Sequence, residues 1–119
     1  MDINEFKAIN DTYGHLTGDH ALIQFSKILQ HSIDKDSVAI RMGGDEFVIF
    51  AKIQSDTEAV KLKKRIENNV RQFNIHSKEP FHLSFSIGIA KYNGKNIDTF
   101  LSAMDDSMYE AKNMHRLMQ

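Results

Sequence analysis

Apolar and polar positions change their period several times along this chain, and each change marks an element. Met1 to Phe6 reads as the end of a strand entering a loop. Asn10 to Asp19 is polar and turn-rich, and a helix should follow it, with Ala21, Leu22, Phe25, Ile28 and Leu29 on one face. Val38–Met42 and Phe47–Phe50 are short strand-like runs separated by Gly43-Gly44. Ser55 and Glu58 make a capping-box pattern. Behind them Ala59, Leu62, Ile66, Val70 and Phe73 form an amphipathic helical stripe. From Phe81 to Ile89 every odd position is large and apolar, while His82, Ser84, Ser86 and Gly88 are small or polar, which is strand alternation. A last helix is expected from about Asp98 to about Met114, with Leu101, Met104, Met108 and Ala111 inward. The order of elements predicts an α+β fold. Its antiparallel-rich sheet is flanked by helices in the ferredoxin-like βαββαβ arrangement. The first strand of that topology is central, and little chain precedes Asp2 to build it, so a truncated first strand is expected.

Composition narrows the picture. With 119 residues the chain suits one domain, 1–119, with one core. Its apolar stretches are too short to span a bilayer, and the acidic, polar start is not a signal peptide, so a cytoplasmic domain is expected. A membrane-anchored parent protein remains compatible with this. The absence of cysteine excludes disulfides and thiolate metal sites. A formal charge of -1 argues against general nucleic-acid binding but not against nucleotide binding. The six histidines show no metal-ligand spacing.

Three groups of residues could carry chemistry. The Gly43-Gly44 pair predicts a tight hairpin whose backbone a ligand can approach closely. Asp45 and Glu46 follow at once and are expected on opposite faces of the next strand. Asp2, at the end of the first strand, and Asp45 could converge on one sheet edge, where few hard oxygen donors suit Mg²⁺; the alternative is two solvated turn acids. Lys7 and the Asn10–Asp19 loop could cradle phosphate, with Asn10 and Asp19 offering edges to a guanine, or Asp19 could simply cap the next helix. Lys112 and Arg116 share one helical face; they either clamp phosphate or offset the helix dipole.

Together these motifs resemble the GGDEF family of bacterial diguanylate cyclases. Gly43-Gly44-Asp45-Glu46-Phe47 is the family signature without substitution. Asp2-Ile3-Asn4-Glu5-Phe6-Lys7-Ala8-Ile9-Asn10-Asp11, with Gly14-His15 and Gly18-Asp19, resembles the second motif. Ser86-Ile87-Gly88-Ile89-Ala90 resembles the late strand, and Met108-Tyr109-Glu110-Ala111-Lys112 the start of the last motif. The resemblance implies condensation of two GTP into cyclic di-GMP and two pyrophosphates, across a homodimer of half-sites, with two Mg²⁺ per half-site and Mn²⁺ as the alternative cation. It implies Asp2, the Ile3 carbonyl and Asp45 as metal ligands, and Asp45, Glu46 and Lys7 as catalytic residues. Asn10, His15, Asp19, Gly43, Gly44, Lys112 and Arg116 would bind substrate. A sensory, receiver or phosphodiesterase domain in a longer parent protein is the implied partner.

The departures are specific. Asn4 stands where the family usually has a second Asp, so an acidic ligand or a structural contact is lost. His115-Arg116-Leu117 replaces Gly-Arg-Asn. Asp34-Lys35-Asp36-Ser37 replaces the Arg-x-x-Asp product site, which implies no product inhibition there. The resemblance implies that the family's opening helix and most of its first strand are missing here, so an N-terminally truncated domain is expected. These departures motivate a second reading: a catalytically inactive GTP-binding regulatory module that controls a neighbouring phosphodiesterase or effector.

Overall fold

A computed structural model describes residues 1–89 and 97–117 of the chain, without the side chains of Ile97, Phe100, Met104, His115, Arg116 and Leu117. The elements run β1 (Asp2–Ile3), α1 (Phe6–Tyr13), α2 (His15–Ser32), β2 (Val38–Gly43), β3 (Glu46–Phe50), α3 (Asp56–His76), β4 (Phe85–Ser86) and α4 (Ile97–Leu117). The four strands form one sheet in the order β2-β3-β1-β4. The pairings β1–β3, β1–β4 and β2–β3 are antiparallel. This is the expected α+β, ferredoxin-like arrangement, with β1 central.

The core lies between one sheet face and α2 with α3. Phe25, Leu29, Ile66 and Ile3 are almost wholly buried there. The Phe25 ring meets Phe47 edge-on at 5.0 Å and Phe85 at 5.7 Å, tying α2 to β3 and β4. Such offset aromatic contacts add to the area that burial removes from water. The α3 stripe behaves as its spacing predicts: Ile66 and Val70 are buried, and Leu62 and Phe73 pack against them. Ser55 caps this helix, accepting from the Glu58 N–H at 3.3 Å, while the Glu58 carboxylate reaches back to the Gln54 N–H at 3.0 Å.

Two expectations need correction. The polar run from Asn10 to Asp19 is helical, broken only at Gly14, whose φ of 89° separates α1 from α2. The reason is amphipathy. Phe6 and Ile9 turn α1 inward, and Asp11, Thr12 and Tyr13 are its solvated face, so polarity there marks a helix surface and not a loop. Asp19 accordingly lies inside α2 and does not cap it; Gly14 holds the N-cap position.

The alternating run is buried at Phe81 and Leu83, but among the described residues only Phe85–Ser86 pairs as a strand, since Asn74 takes the backbone groups of Leu83. Of the residues expected inward on α4, Leu101, Met108 and Ala111 are half-buried; the Met104 side chain lies outside the described residues, as does Ala90.

Candidate active site

Alternation along β1 sends Ile3 into the core and Asp2 to the opposite face. Asp2 is only 3% exposed, an unusual place for a carboxylate. It stands opposite Glu46 on β3 and opposite Ser86 on β4. One of its oxygens, Oδ2, is ion-paired with the Lys112 ammonium from α4. The other, Oδ1, is buried with no hydrogen-bond partner among the described residues.

The glycine turn adjoins it. The chain passes from β2 to β3 through Gly44 and Asp45, with Gly43 and Glu46 facing each other. A register irregularity between Arg41 and Gly43 takes up one residue. Gly43 and Gly44 both have positive φ, 145° and 52°, a region that side-chain-bearing residues rarely adopt. Arg41 braces the turn, donating from Nε to the Gly44 carbonyl at 2.9 Å. Among the described residues nothing lies within 4 Å of where a Cβ would stand on either glycine, so there the turn is open to an incoming group. Asp45 therefore precedes the strand and sits in the turn, half-buried, and does not alternate with Glu46 along β3 as expected. Its carbonyl accepts from the Ile3 N–H at 3.3 Å, which fixes the turn against β1. Glu46 opens β3 and is exposed.

Asn10 on α1 faces Gly18 on α2 so closely that a Cβ on Gly18 would overlap its Oδ1. Gly18 is buried, and its neighbour Asp19 is exposed, so Asn10 and Asp19 lie at one helix–helix junction. His15 opens α2 and is exposed, and Lys7 is exposed in the first turn of α1. Arg116 lies one turn beyond Lys112 on α4, and its side chain falls outside the described residues. The fold thus sets Asp2 beside Asp45 and Glu46 at the glycine turn and pairs it with Lys112. It gathers Asn10, Gly18 and Asp19 at a second place, joined to the first by the short β1–α1 connection.

The chemistry of this donor set suits a hard cation. Asp2 Oδ1 is an oxygen without a partner among the described residues, and leaving such an atom buried is costly. No group of three acidic or histidine side chains gathers among the described residues. Mg²⁺ needs no such cage, since it is usually held by one or two carboxylates with water and phosphate oxygens.

Reading the sequence alone singled out Asn4 as a departure but missed its contacts with Ser84 and Ser86, which show the structural contact to be present. Asn4 Nδ2 donates to Ser84 Oγ at 2.9 Å, and Asn4 Oδ1 accepts from Ser86 Oγ at 2.6 Å. The signal was the pair of serines on the polar side of the 81–89 alternation. At the replaced product-site positions, Asp34 Oδ1 accepts from the Asp36 N–H and the Ser37 hydroxyl, both at 3.0 Å, closing a turn on itself. No helix among the described residues is long and apolar enough to cross a membrane.

Residues 1–117 match the family described as Diguanylate cyclase, GGDEF domain. Diguanylate cyclase DosC of Escherichia coli strain K12 is 34% identical over 119 residues, covering 98% of this chain and 26% of that protein. The bifunctional diguanylate cyclase/cyclic di-GMP phosphodiesterase MucR of Pseudomonas aeruginosa is 33% identical, covering 98% of this chain and 17% of its own length. The chain therefore spans about a quarter or less of these relatives. Among solved structures, the GGDEF domain of YfiN (TpbB) from Pseudomonas aeruginosa superposes with a TM-score of 0.84 at 31% identity, covering 95% of this chain and 73% of that one. The buried Asp2, the open Gly43-Gly44 turn and these matches agree: the chain belongs to the GGDEF domain family of diguanylate cyclases.

Proposed function

We propose that this domain binds GTP with Mg²⁺ and supplies one half-site of a homodimer that condenses two GTP into cyclic di-GMP. The observation that carries this reading is the buried Asp2 carboxylate, with one oxygen on Lys112 and one unpartnered among the described residues, beside an open glycine turn. Asp2, the Ile3 carbonyl and Asp45 would hold the metal. When bound, Mg²⁺ supplies charge neutralisation at the phosphates.

The chain's own groups then have distinct tasks. Asn10 and Asp19 read the guanine edge, with His15 near the nucleoside. Gly43 and Gly44 let the phosphates approach the backbone. Lys112 and Arg116 hold the β- and γ-phosphates, and Lys7 offsets the charge that develops as pyrophosphate leaves. Asp45 takes the proton of the 3′-hydroxyl, and Glu46 supports the metal or substrate. The 3′-oxygen of one GTP forms a bond to the α-phosphorus of the GTP on the other subunit, and the bond from that phosphorus to pyrophosphate breaks. The reciprocal step closes the ring and releases the second pyrophosphate. Positioning and charge account for most of the rate in such transfers.

The test is incubation of the full chain with GTP and Mg²⁺, with cyclic di-GMP resolved by chromatography and Asp45→Ala as control. Product from the wild type and none from the variant supports the reading. Equal, background-level product from both refutes it. Calorimetric GTP binding without product would assign the domain to regulation of a neighbouring module, where the departure at His115 would be the first place to look.

A further inference from the structure

Asn4 follows Asp2 on the polar side of the sheet, and its side chain ties β1 to β4 at two points, Ser84 Oγ and Ser86 Oγ. Its backbone N–H adds a third bond, to the Ser84 carbonyl at 2.8 Å. Ser86 is 3% exposed and stands directly opposite Asp2. A slip of one residue would send Asp2 into the core and Ile3 to the polar side. Glu5, next in the chain, sits at φ 57°, a left-handed conformation unfavourable for a residue with a side chain. The junction therefore leaves β1 at a strained turn, and the Asn4 bonds to Ser84 and Ser86 lie between that turn and Asp2.

We propose that Asn4 is a positioning residue: the Asn4–Ser84–Ser86 clasp locks the register of β1 and so sets where Asp2 Oδ1 is presented. The proposal rests on the reading of Asp2 as a metal-holding residue. It separates Asn4 from the ligand set, since both ends of its amide are engaged by serines. It also predicts that an aspartate here would serve the same purpose. A carboxylate accepts from both hydroxyls, because the Ser84 hydroxyl can rotate to donate.

The experiment compares the wild-type chain with Asn4→Ala, Asn4→Asp and the paired Ser84→Ala/Ser86→Ala change. Two quantities are read well below the melting temperature: hydrogen exchange of the Ile3 amide, and Mn²⁺ binding in the presence of GTP, followed by electron paramagnetic resonance. Asn4→Ala and the serine pair should each speed Ile3 exchange about tenfold or more and weaken Mn²⁺ binding about tenfold, the scale of lost outer contacts at metal sites. Asn4→Asp should restore both. Unchanged exchange and Mn²⁺ affinity in Asn4→Ala overturn the proposal. So does tighter Mn²⁺ binding in Asn4→Asp combined with no effect of the serine pair, which would place residue 4 among the ligands. Ile3 exchange reports the clasp whether or not turnover occurs. A chain that makes no cyclic di-GMP but loses protection in Asn4→Ala therefore refutes the cyclase reading alone.

Discussion

Lys112 on α4 is ion-paired with Asp2 on the central strand, joining residues from opposite ends of the chain across the polar face of the sheet. Asp2 is buried, whereas the Lys112 side chain is 32% exposed, so water can partly replace the ammonium. Lys112→Met keeps the apolar stem and removes the charge. It should destabilise the fold by about 1–3 kcal/mol, the cost of a buried charged acceptor deprived of its partner. That lies below the larger loss seen when a fully buried pair is broken. Adding Asp2→Asn to Lys112→Met should recover part of the loss, because no charge is then stranded. Urea unfolding of the two single variants and the double variant measures this. A Lys112→Met chain as stable as the wild type would confine the role of Lys112 to ligand binding.

Asn74 on α3 substitutes for a neighbouring strand at Leu83. Its Oδ1 accepts from the Leu83 N–H at 2.8 Å, and its Nδ2 donates to the Leu83 carbonyl at 2.7 Å. Leu83 is 2% exposed, so its backbone groups have little water to fall back on. Asn74→Ala should cost about 2–3 kcal/mol, and Asn74→Asp, which cannot donate, roughly half of that. For a domain of this size the alanine change lowers the melting temperature by roughly 10 °C. A thermal scan showing less than a two-degree shift (about 0.5 kcal/mol by the same scaling) would show that the loop holds itself without this clamp.

Gly18 tests the α1–α2 junction separately from stability. In Gly18→Ala the new methyl displaces the Asn10 side chain, which is the end of a movable group and not backbone. Alanine in a helix is favoured over glycine by about 1 kcal/mol, which offsets the steric cost. The variant should therefore melt near the wild type yet bind GTP roughly tenfold more weakly, equivalent to about 1.4 kcal/mol. Calorimetry with GTP and a melting curve on the same sample decide it. Unchanged GTP affinity would remove Asn10 from the proposed guanine site.

The features legible in the sequence are those set by local period. The α3 stripe, the Ser55 cap and the hairpin all follow from residues close together in the chain. The hairpin was legible to within one position, because the irregularity at Arg41–Gly43 leaves Met42 as the extra residue and pairs Gly43 with Glu46, so that Gly44-Asp45 is the loop. Helix α1 was not legible, since its inward face is narrow and its polar face has the composition of a loop. The Asp2–Lys112 pair and the Asn4 clasp depend on contacts between distant segments, which no local pattern encodes. Strand β4 shows the limit from the other side. The alternation from Phe81 to Ile89 is continuous, yet Leu83 is claimed by Asn74, and only the residues facing β1 form a ladder.

In a chain that begins at Met1 with a free amine, that amine couples the same central strand to pH. It donates to the Phe47 carbonyl at 2.7 Å, and the Phe47 N–H donates back to the Met1 carbonyl at 2.7 Å. Burial lowers its pKa below the ordinary 8.0, although the nearby Asp2 and Glu46 carboxylates pull it upward. For a chain produced with a free amine at Met1, the unfolded state then binds the proton more strongly than the folded state. Stability must rise with pH between the folded pKa and 8.0. The penalty for burying the ammonium is fully present below the folded pKa and is gone above the unfolded one. Acetylating this amine removes the titration and leaves an amide N–H to meet Phe47. The difference in urea midpoint between free and acetylated chains should therefore shift in favour of the free chain as pH is raised from 6 to about 8.5. A difference that stays constant across that range would show that the ammonium remains solvated in the folded state.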